Sequence, residues 1–351
     1  MSKIAILGGG SWGTALAIVL ARSRKMHELA LWMRDAALAE AVERSRENQL
    51  YLPGCRLPAS VKITHDLGVA LRNAEIVVGA IPSAHARGVY RQAFPLLDGQ
   101  HRAFVSATKG LEPSTHLRIT EVIGQVCAGQ SLTIPAVAVL SGPSFALETA
   151  RGDPTAVVVA AQRGERSPRS RGTGGNFVNV ADFIQEELAG ASFRLYTNED
   201  VVGVELAGAM KNVMAIAAGA CQGLGLGTNA VAALITRGLA EMTRLALAMG
   251  ARAETLSGLA GLGDLVLTCT GALSRNRQLG IELGKGRELE EILASTRMVA
   301  EGVGTAGALL ALAGEHRMEL PITQQVHAIL HQGKSPREAM SEIMERPQKR
   351  E

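Results

Sequence analysis

Lys3-Ile4-Ala5-Ile6-Leu7-Gly8-Gly9-Gly10-Ser11-Trp12-Gly13-Thr14-Ala15-Leu16-Ala17 is the stretch that decides the fold. A short apolar run of strand character enters a G-x-G-x-x-G motif, and a helix-forming run leaves it. The motif alone is weak evidence in a chain with 39 Gly among 351 residues, well above the usual ~7%. Its flanks make it a dinucleotide fingerprint. Gly8 permits a tight turn, Gly10 lets backbone approach a pyrophosphate, and Gly13 lets helix and strand pack closely. The helix start adds unpaired N–H groups and the positive end of a dipole.

Working outward, the first half alternates strands with helical stretches. Residues 3–7, 30–33, 61–64, 76–80, 103–107, 136–140, 155–160 and 192–196 read as strands. Several are near-continuous apolar runs, the pattern of strands covered on both faces. The alternation predicts an α/β fold with a mainly parallel, doubly wound sheet. After Asn198 the texture changes, and 199–220, 230–249 and 275–285 read as helices with no further strand. Ser335-Pro336-Arg337-Glu338 is a capping-box start with Pro at the first helical position. The expected division is a dinucleotide-binding domain over 1–197 and an all-α domain over 198–351.

Composition excludes several classes. Aromatic residues are 3% of the chain, too few for a surface that stacks single-stranded bases. The formal net charge of +3 is too small to argue for nucleic acid or a membrane surface. The four Cys are far apart and form no C-x-x-C pair, so neither a disulfide framework nor a zinc knuckle is indicated. The apolar stretches are interrupted by polar residues, and no signal-peptide pattern opens the chain, so no membrane span and a cytoplasmic location are expected.

Four local readings bear on chemistry. Arg34, followed by Asp35, stands at the end of the second strand. An Arg there welcomes a ribose 2′-phosphate and favours NADP(H) over NAD(H); the alternative is a solvated pair with Asp35 as an N-cap. Lys211 lies in a helix that is apolar nearly all round. A buried Lys is either functional or held in a structural ion pair, with Glu205 or another acid as partner. Asp264 ends a Gly-rich loop and reads as an N-cap, with Thr268 on the same helical face. Ser274-Arg275-Asn276 reads as a capped helix start suited to a phosphate, or as a solvated basic turn. The His are dispersed; His327 and His331 share helical spacing and read as a surface pair, so no metal is expected.

Taken in order, these motifs closely resemble the bacterial NAD(P)-dependent glycerol-3-phosphate dehydrogenase family over almost the whole chain. Besides the glycine loop, the resemblance rests on Ile81-Pro82-Ser83, Ser106-Ala107-Thr108-Lys109-Gly110 and Leu140-Ser141-Gly142-Pro143-Ser144-Phe145-Ala146. It continues through Gly203-Val204-Glu205-Leu206, Lys211-Asn212, Gly261-Leu262-Gly263-Asp264-Leu265, Ser274-Arg275-Asn276 and Glu301-Gly302. It implies a Rossmann-type domain followed by a helical domain of the 6-phosphogluconate-dehydrogenase-like type, with the active site in the cleft between them. It also implies reduction of dihydroxyacetone phosphate to sn-glycerol 3-phosphate for glycerophospholipid synthesis, by a homodimer. By the same resemblance Lys211 is the catalytic lysine, and Lys109, Gly142, Ser144, Asn212, Asp264, Ser274, Arg275 and Asn276 meet substrate. Ser11, Trp12, Arg34, Lys109, Ala146, Arg275, Val299 and Glu301 are then cofactor positions.

Two rival readings are another β-hydroxyacid-type dehydrogenase of the same fold group and a catalytically dead NADP-binding sensor. The Ser274-Arg275-Asn276 signature argues against the first. Retention of Lys211, Asp264 and Arg275 together argues against the second. An Arg-rich segment at 162–176 looks longer than the family norm and interrupts no catalytic motif.

Overall fold

The computed structural model describes residues 2–97, 103–133, 135–164, 179–295 and 300–347. Two compact units emerge, one of Met1–Lys109 with Leu117–Glu205 and one of Gly110–His116 with Leu206–Glu351. The division falls at 205/206, not at the expected 197/198, and the short stretch Gly110–His116 packs with the second unit. The reason is local. The helix Val201–Gly223 runs without a break across this point, and the Glu205 carboxylate is bonded to Arg118 and Thr120 of the first unit.

The first unit is built on one sheet of eight strands: β1 (Ser2–Leu7), β2 (His27–Trp32), β3 (Val61–Thr64), β4 (Ile76–Gly79), β5 (Ala103–Ser106), β6 (Val137–Ser141), β7 (Thr155–Ala160) and β8 (Phe193–Asn198). Their order is β3-β2-β1-β4-β5-β6-β7-β8. Every neighbouring pair is parallel except β6 with β7. The fold is therefore the mainly parallel, Rossmann-type sheet that the alternation predicts. The strand order reverses between β1 and β4, and at such a switch point an open α/β sheet leaves a crevice for ligands.

Side chains alternate across the sheet and feed two apolar layers. Ile4, Ile6, Leu29, Leu31, Ile76, Val78 and Val105 pack on one face with Leu16 and Ile18 of the helix Ser11–Leu20. Ala5, Leu7, Ala30, Val77 and Phe104 fill the other, where Tyr90 and Phe94 stack at 5.4 Å and both meet Phe104 edge-on. Both faces being dry is why β4, β5 and β6 are buried at every residue, while β3 and β8 at the sheet edges alternate with exposed residues.

The second unit is helical, and no strand occurs in it among the described residues. Its central helix, Val201–Gly223, is long and apolar enough by length and composition to cross a membrane. Its 18-residue apolar window is 94% buried inside the protein, however, as befits a core helix. Glycines let a second helix, Arg275–Gly284, press directly onto it. A Cβ on Gly280 would stand 2.0 Å from the Ile216 carbonyl oxygen, and one on Gly219 2.0 Å from that of Arg277. Gly223 and Gly284 repeat the contact one turn on, at 2.2 Å from Ile281 O and 2.5 Å from Ala220 O. The last helix, Pro336–Glu345, begins with the expected capping box: Ser335 accepts from Glu338 N while Glu338 accepts from Ser335 N.

Most of the Arg-rich segment, from 165 onward, lies outside the described residues. Arg163 at its start is exposed and stands 4.0 Å from a Glu199 carboxylate oxygen.

Candidate active site

In the first unit the glycine loop joins β1 to the helix Ser11–Leu20. Gly8 has φ +119°, a left-handed value that suits glycine, and a Cβ there would lie 2.3 Å from Ala80 O. A Cβ on Gly13 would meet Gly8 O at 1.8 Å, so helix and loop touch backbone to backbone. Gly10 differs, since a Cβ on it would meet nothing within 4 Å. Gly10 is the extended N-cap of the helix, and no side chain caps it. The helix start thus presents amide groups and a positive dipole end beside open space. The Trp12 indole N–H is buried and has no hydrogen-bond partner among the described residues. An anionic, hydrogen-bond-accepting ligand such as a dinucleotide pyrophosphate fits this donor set. The Ser11 hydroxyl, by contrast, already donates to Tyr51 O at 2.6 Å.

Other sequence-predicted residues gather near this loop. The Lys109 ammonium lies 5.9 Å from the centre of a Trp12 ring and donates to Gly142 O at 2.8 Å and Ser144 Oγ at 3.1 Å. Ser144 Oγ also donates to Gly142 O. Gly142 has φ +134° and lies against Val157, where a Cβ would be 3.0 Å from its Cα. Ala146 begins the helix Ala146–Arg151. Arg34 is exposed just beyond β2. Asp35 caps the helix Ala36–Ser45, accepting from Leu38 N at 2.9 Å.

The second unit centres on Lys211. Its ammonium donates to Asp264 Oδ1 at 2.5 Å and to Thr268 Oγ1 at 3.0 Å, and both Lys211 and Asp264 are buried. Thr268 in turn donates to Asp264 O at 2.5 Å. The partner acid of Lys211 is thus Asp264 and not Glu205, which serves Arg118 at 2.9 Å. Asp264 is also not the N-cap that its sequence context suggests. Leu259–Gly263 winds as a π-helical turn, so the chain enters Asp264 already helical, with φ −72° and ψ −30°. That frees the carboxylate for the lysine. Burial pushes the pKa of the Cys269 thiol, on the helix that Asp264 begins, up to about 12, with the Lys211 charge pulling the other way.

Beside this cluster Asn276 Nδ2 donates to Asn212 Oδ1 at 2.9 Å, and Gly302 N donates to Asn276 Oδ1 at 3.1 Å. Ser274 caps the helix Arg275–Gly284 by accepting from Arg277 N at 3.3 Å. Arg275 is exposed at that helix start, within electrostatic reach of Glu301. Glu301 begins the helix Glu301–Glu315. Val299 lies outside the described residues. His327 and His331 stand with ring centres 4.9 Å apart. Among the described residues no group of three or more His, Cys, Asp or Glu could hold a metal ion.

Sequence reasoning missed Asn48. It is fully buried and donates to Gly9 O and to Thr14 Oγ1. No local pattern marks it, because its partners lie 39 and 34 residues away.

A family model described as NAD-dependent glycerol-3-phosphate dehydrogenase N-terminus matches residues 3–167, and its C-terminal counterpart matches 200–341. The glycerol-3-phosphate dehydrogenase [NAD(P)+] of Koribacter versatilis is 53% identical, covering 99% of this chain and 98% of its own. That of Acidobacterium capsulatum is 51% identical, with 99% of both chains covered. The crystal structure of glycerol-3-phosphate dehydrogenase from Coxiella burnetii superposes with a TM-score of 0.88 at 40% identity, over 98% of this chain and 99% of the other. Full-length likeness at this identity, on a matching sheet and helical unit, places the chain in the NAD-dependent glycerol-3-phosphate dehydrogenase family.

Proposed function

We propose that the chain reduces dihydroxyacetone phosphate to sn-glycerol 3-phosphate with NAD(P)H, reversibly, in support of glycerophospholipid synthesis. The observation that carries the mechanism is the buried Lys211–Asp264–Thr268 cluster. When bound at the glycine loop, NAD(P)H supplies the hydride that the ketone carbon accepts. The Lys211 ammonium stabilises the negative charge growing on the carbonyl oxygen and then gives it a proton. Asp264 supplies the counter-charge that lets an ammonium persist in a buried position, and Thr268 fixes its direction. Run backwards, the neutral amine of Lys211 takes the hydroxyl proton.

Arg275 and the helix start at Ser274–Asn276 hold the substrate phosphate, using binding energy remote from the reacting carbon to position it. The Asn212–Asn276 pair sets the spacing between that phosphate grip and Lys211. Gly10, Ser11 and Trp12 face the pyrophosphate side of the cofactor, and Lys109, Gly142, Ser144 and Ala146 line the same loop cluster. Arg34 meets a 2′-phosphate, with Asp35 committed to helix capping, which supports NADP(H) over NAD(H). Four cysteines kept as free thiols support a reducing, cytoplasmic setting, and we assign the working form as a homodimer.

The test is oxidation of NADPH by purified protein with dihydroxyacetone phosphate, with NADH and unphosphorylated dihydroxyacetone in parallel. Turnover is expected only with the phosphorylated ketone, and faster with NADPH. Lys211→Ala is expected to lose at least a thousandfold in kcat while still binding NADPH, a loss in the range of removing a proton donor and charge stabiliser together. A folded wild type that binds NADPH but shows no turnover would overturn the dehydrogenase reading.

A further inference from the structure

We propose that Asn48 is a positioning residue for the dinucleotide: it holds the glycine loop in its binding shape before the ligand arrives. The inference rests on the reading above that this loop takes NAD(P)H.

The loop needs an external brace. Gly8, Gly9 and Gly10 follow one another, and each glycine brings extra conformational freedom that must be lost to fix one shape. Backbone bonds tie down both ends of the loop. Ala80 N donates to Leu7 O at 2.8 Å, Gly8 N to Trp32 O at 3.1 Å, and Thr14 N to Gly10 O at 3.0 Å. The Gly9 carbonyl in the middle is held by a side chain. Asn48 Nδ2 donates to Gly9 O at 2.9 Å and to Thr14 Oγ1 at 2.9 Å, while Asn48 Oδ1 accepts from Tyr51 N at 3.2 Å. Tyr51 O then accepts from Ser11 Oγ at 2.6 Å. Gly9, Asn48, Tyr51 and Ser11 thus form a closed ring of contacts that starts and ends on the glycine loop.

The ring has a fixed base. Asn48 is fully buried, so breaking its bonds strands polar atoms away from water. Its segment is anchored from the side. Arg46 adopts φ +55° and its guanidinium donates to Val61 O at 2.7 Å and to Pro58 O. Glu47 Oε1 accepts from Gly54 N at 2.9 Å, and Leu57 N donates to Arg46 O at 2.8 Å. A loop held in one shape binds more tightly because less freedom is lost on binding. The effect is expected at the cofactor, since Asn48 bonds the glycine loop directly.

The test compares wild type with Asn48→Ala and the near-isosteric Asn48→Asp, which replaces the donating amide by an acceptor. Fluorescence titration of NADPH gives Kd directly, and steady-state kinetics gives KM for each substrate. The expected result is a Kd for NADPH raised at least tenfold in both variants, with cooperative unfolding of the unliganded protein retained and KM for dihydroxyacetone phosphate within twofold. A folded variant whose NADPH Kd stays within twofold of wild type overturns the proposal. So does a rise shared equally by the two KM values, which would mean general loosening. If both variants fail to fold, Thr14→Val carries the test, because it removes only one acceptor of the Asn48 amide; an unchanged Kd there overturns the proposal equally. Wild type that does not bind NADPH at all would instead defeat the cofactor reading on which the inference stands.

Discussion

At the scale of single residues, the energetics turn on one charged pair. Lys211 and Asp264 are both buried and in contact. Removing one partner takes away the opposite charge that the other faces at 2.5 Å in a buried position. Asp264→Asn is therefore expected to cost about 3–5 kcal/mol of stability, read from the urea midpoint, and to lower kcat with NADPH affinity unchanged. The double variant Asp264→Asn, Lys211→Met is expected to regain most of that stability and none of the activity, because a buried ion pair is replaced at little net cost once both charges go. A double variant as unstable as the single one would show that the pair is not the source. Lys211 could be picked out in the sequence because a lone cation interrupts an apolar helix. Its partner could not. Asp264 looks like a cap until the π turn before it is known, and that turn depends on how Leu259–Gly263 packs.

At the scale of elements, the parallel strands were the easiest to read. The run at 76–80 covers β4, which is buried at every residue, since burial on both faces writes itself into sequence as unbroken apolar residues; β3 at 61–64 alternates instead, with Lys62 exposed. Pairing direction is not written that way. β7 runs antiparallel to β6, and nothing in its composition distinguishes it from its neighbours. The helix crossing in the second unit was also missed, although Gly219 with Gly223 and Gly280 with Gly284 each sit one turn apart. Gly280→Ala drives a methyl group to 2.0 Å from a backbone oxygen, so the helices must part, at a cost of about 3 kcal/mol. The same helix carries Ser274, Arg275 and Asn276, so KM for the ketone is expected to rise as well. Gly314→Ala is the control: that position is helical with nothing within 4 Å of a new Cβ, and a gain of about 0.5–1 kcal/mol is expected from the stiffer unfolded chain. Equal effects of the two substitutions on the thermal midpoint would refute the packing argument.

At the scale of the whole molecule, the four thiols report on the interior. All are free and buried, and burial raises the pKa of each. None is expected to react with iodoacetamide at pH 8 in the native protein, and all four should react in urea, counted by mass spectrometry. The same shifts set a pH dependence. Above about pH 9 the unfolded chain releases thiol protons that the folded chain keeps, so the folded state holds more protons and stability falls as pH rises. Cys269, held up to about 12, contributes up to about 1.4 kcal/mol per pH unit in that window. Cys269→Ala should flatten the alkaline decline of the urea midpoint, and an unchanged slope would count against it. The crossing at Gly219, Gly223, Gly280 and Gly284 reaches beyond stability, into what the gene can become. Any amino-acid change by a single nucleotide at a glycine codon yields a larger side chain, and here the atom in the way belongs to the main chain. No second mutation in a neighbouring side chain can make room for it. These four positions are thus closed to amino-acid change, and a library of active variants should return glycine at each.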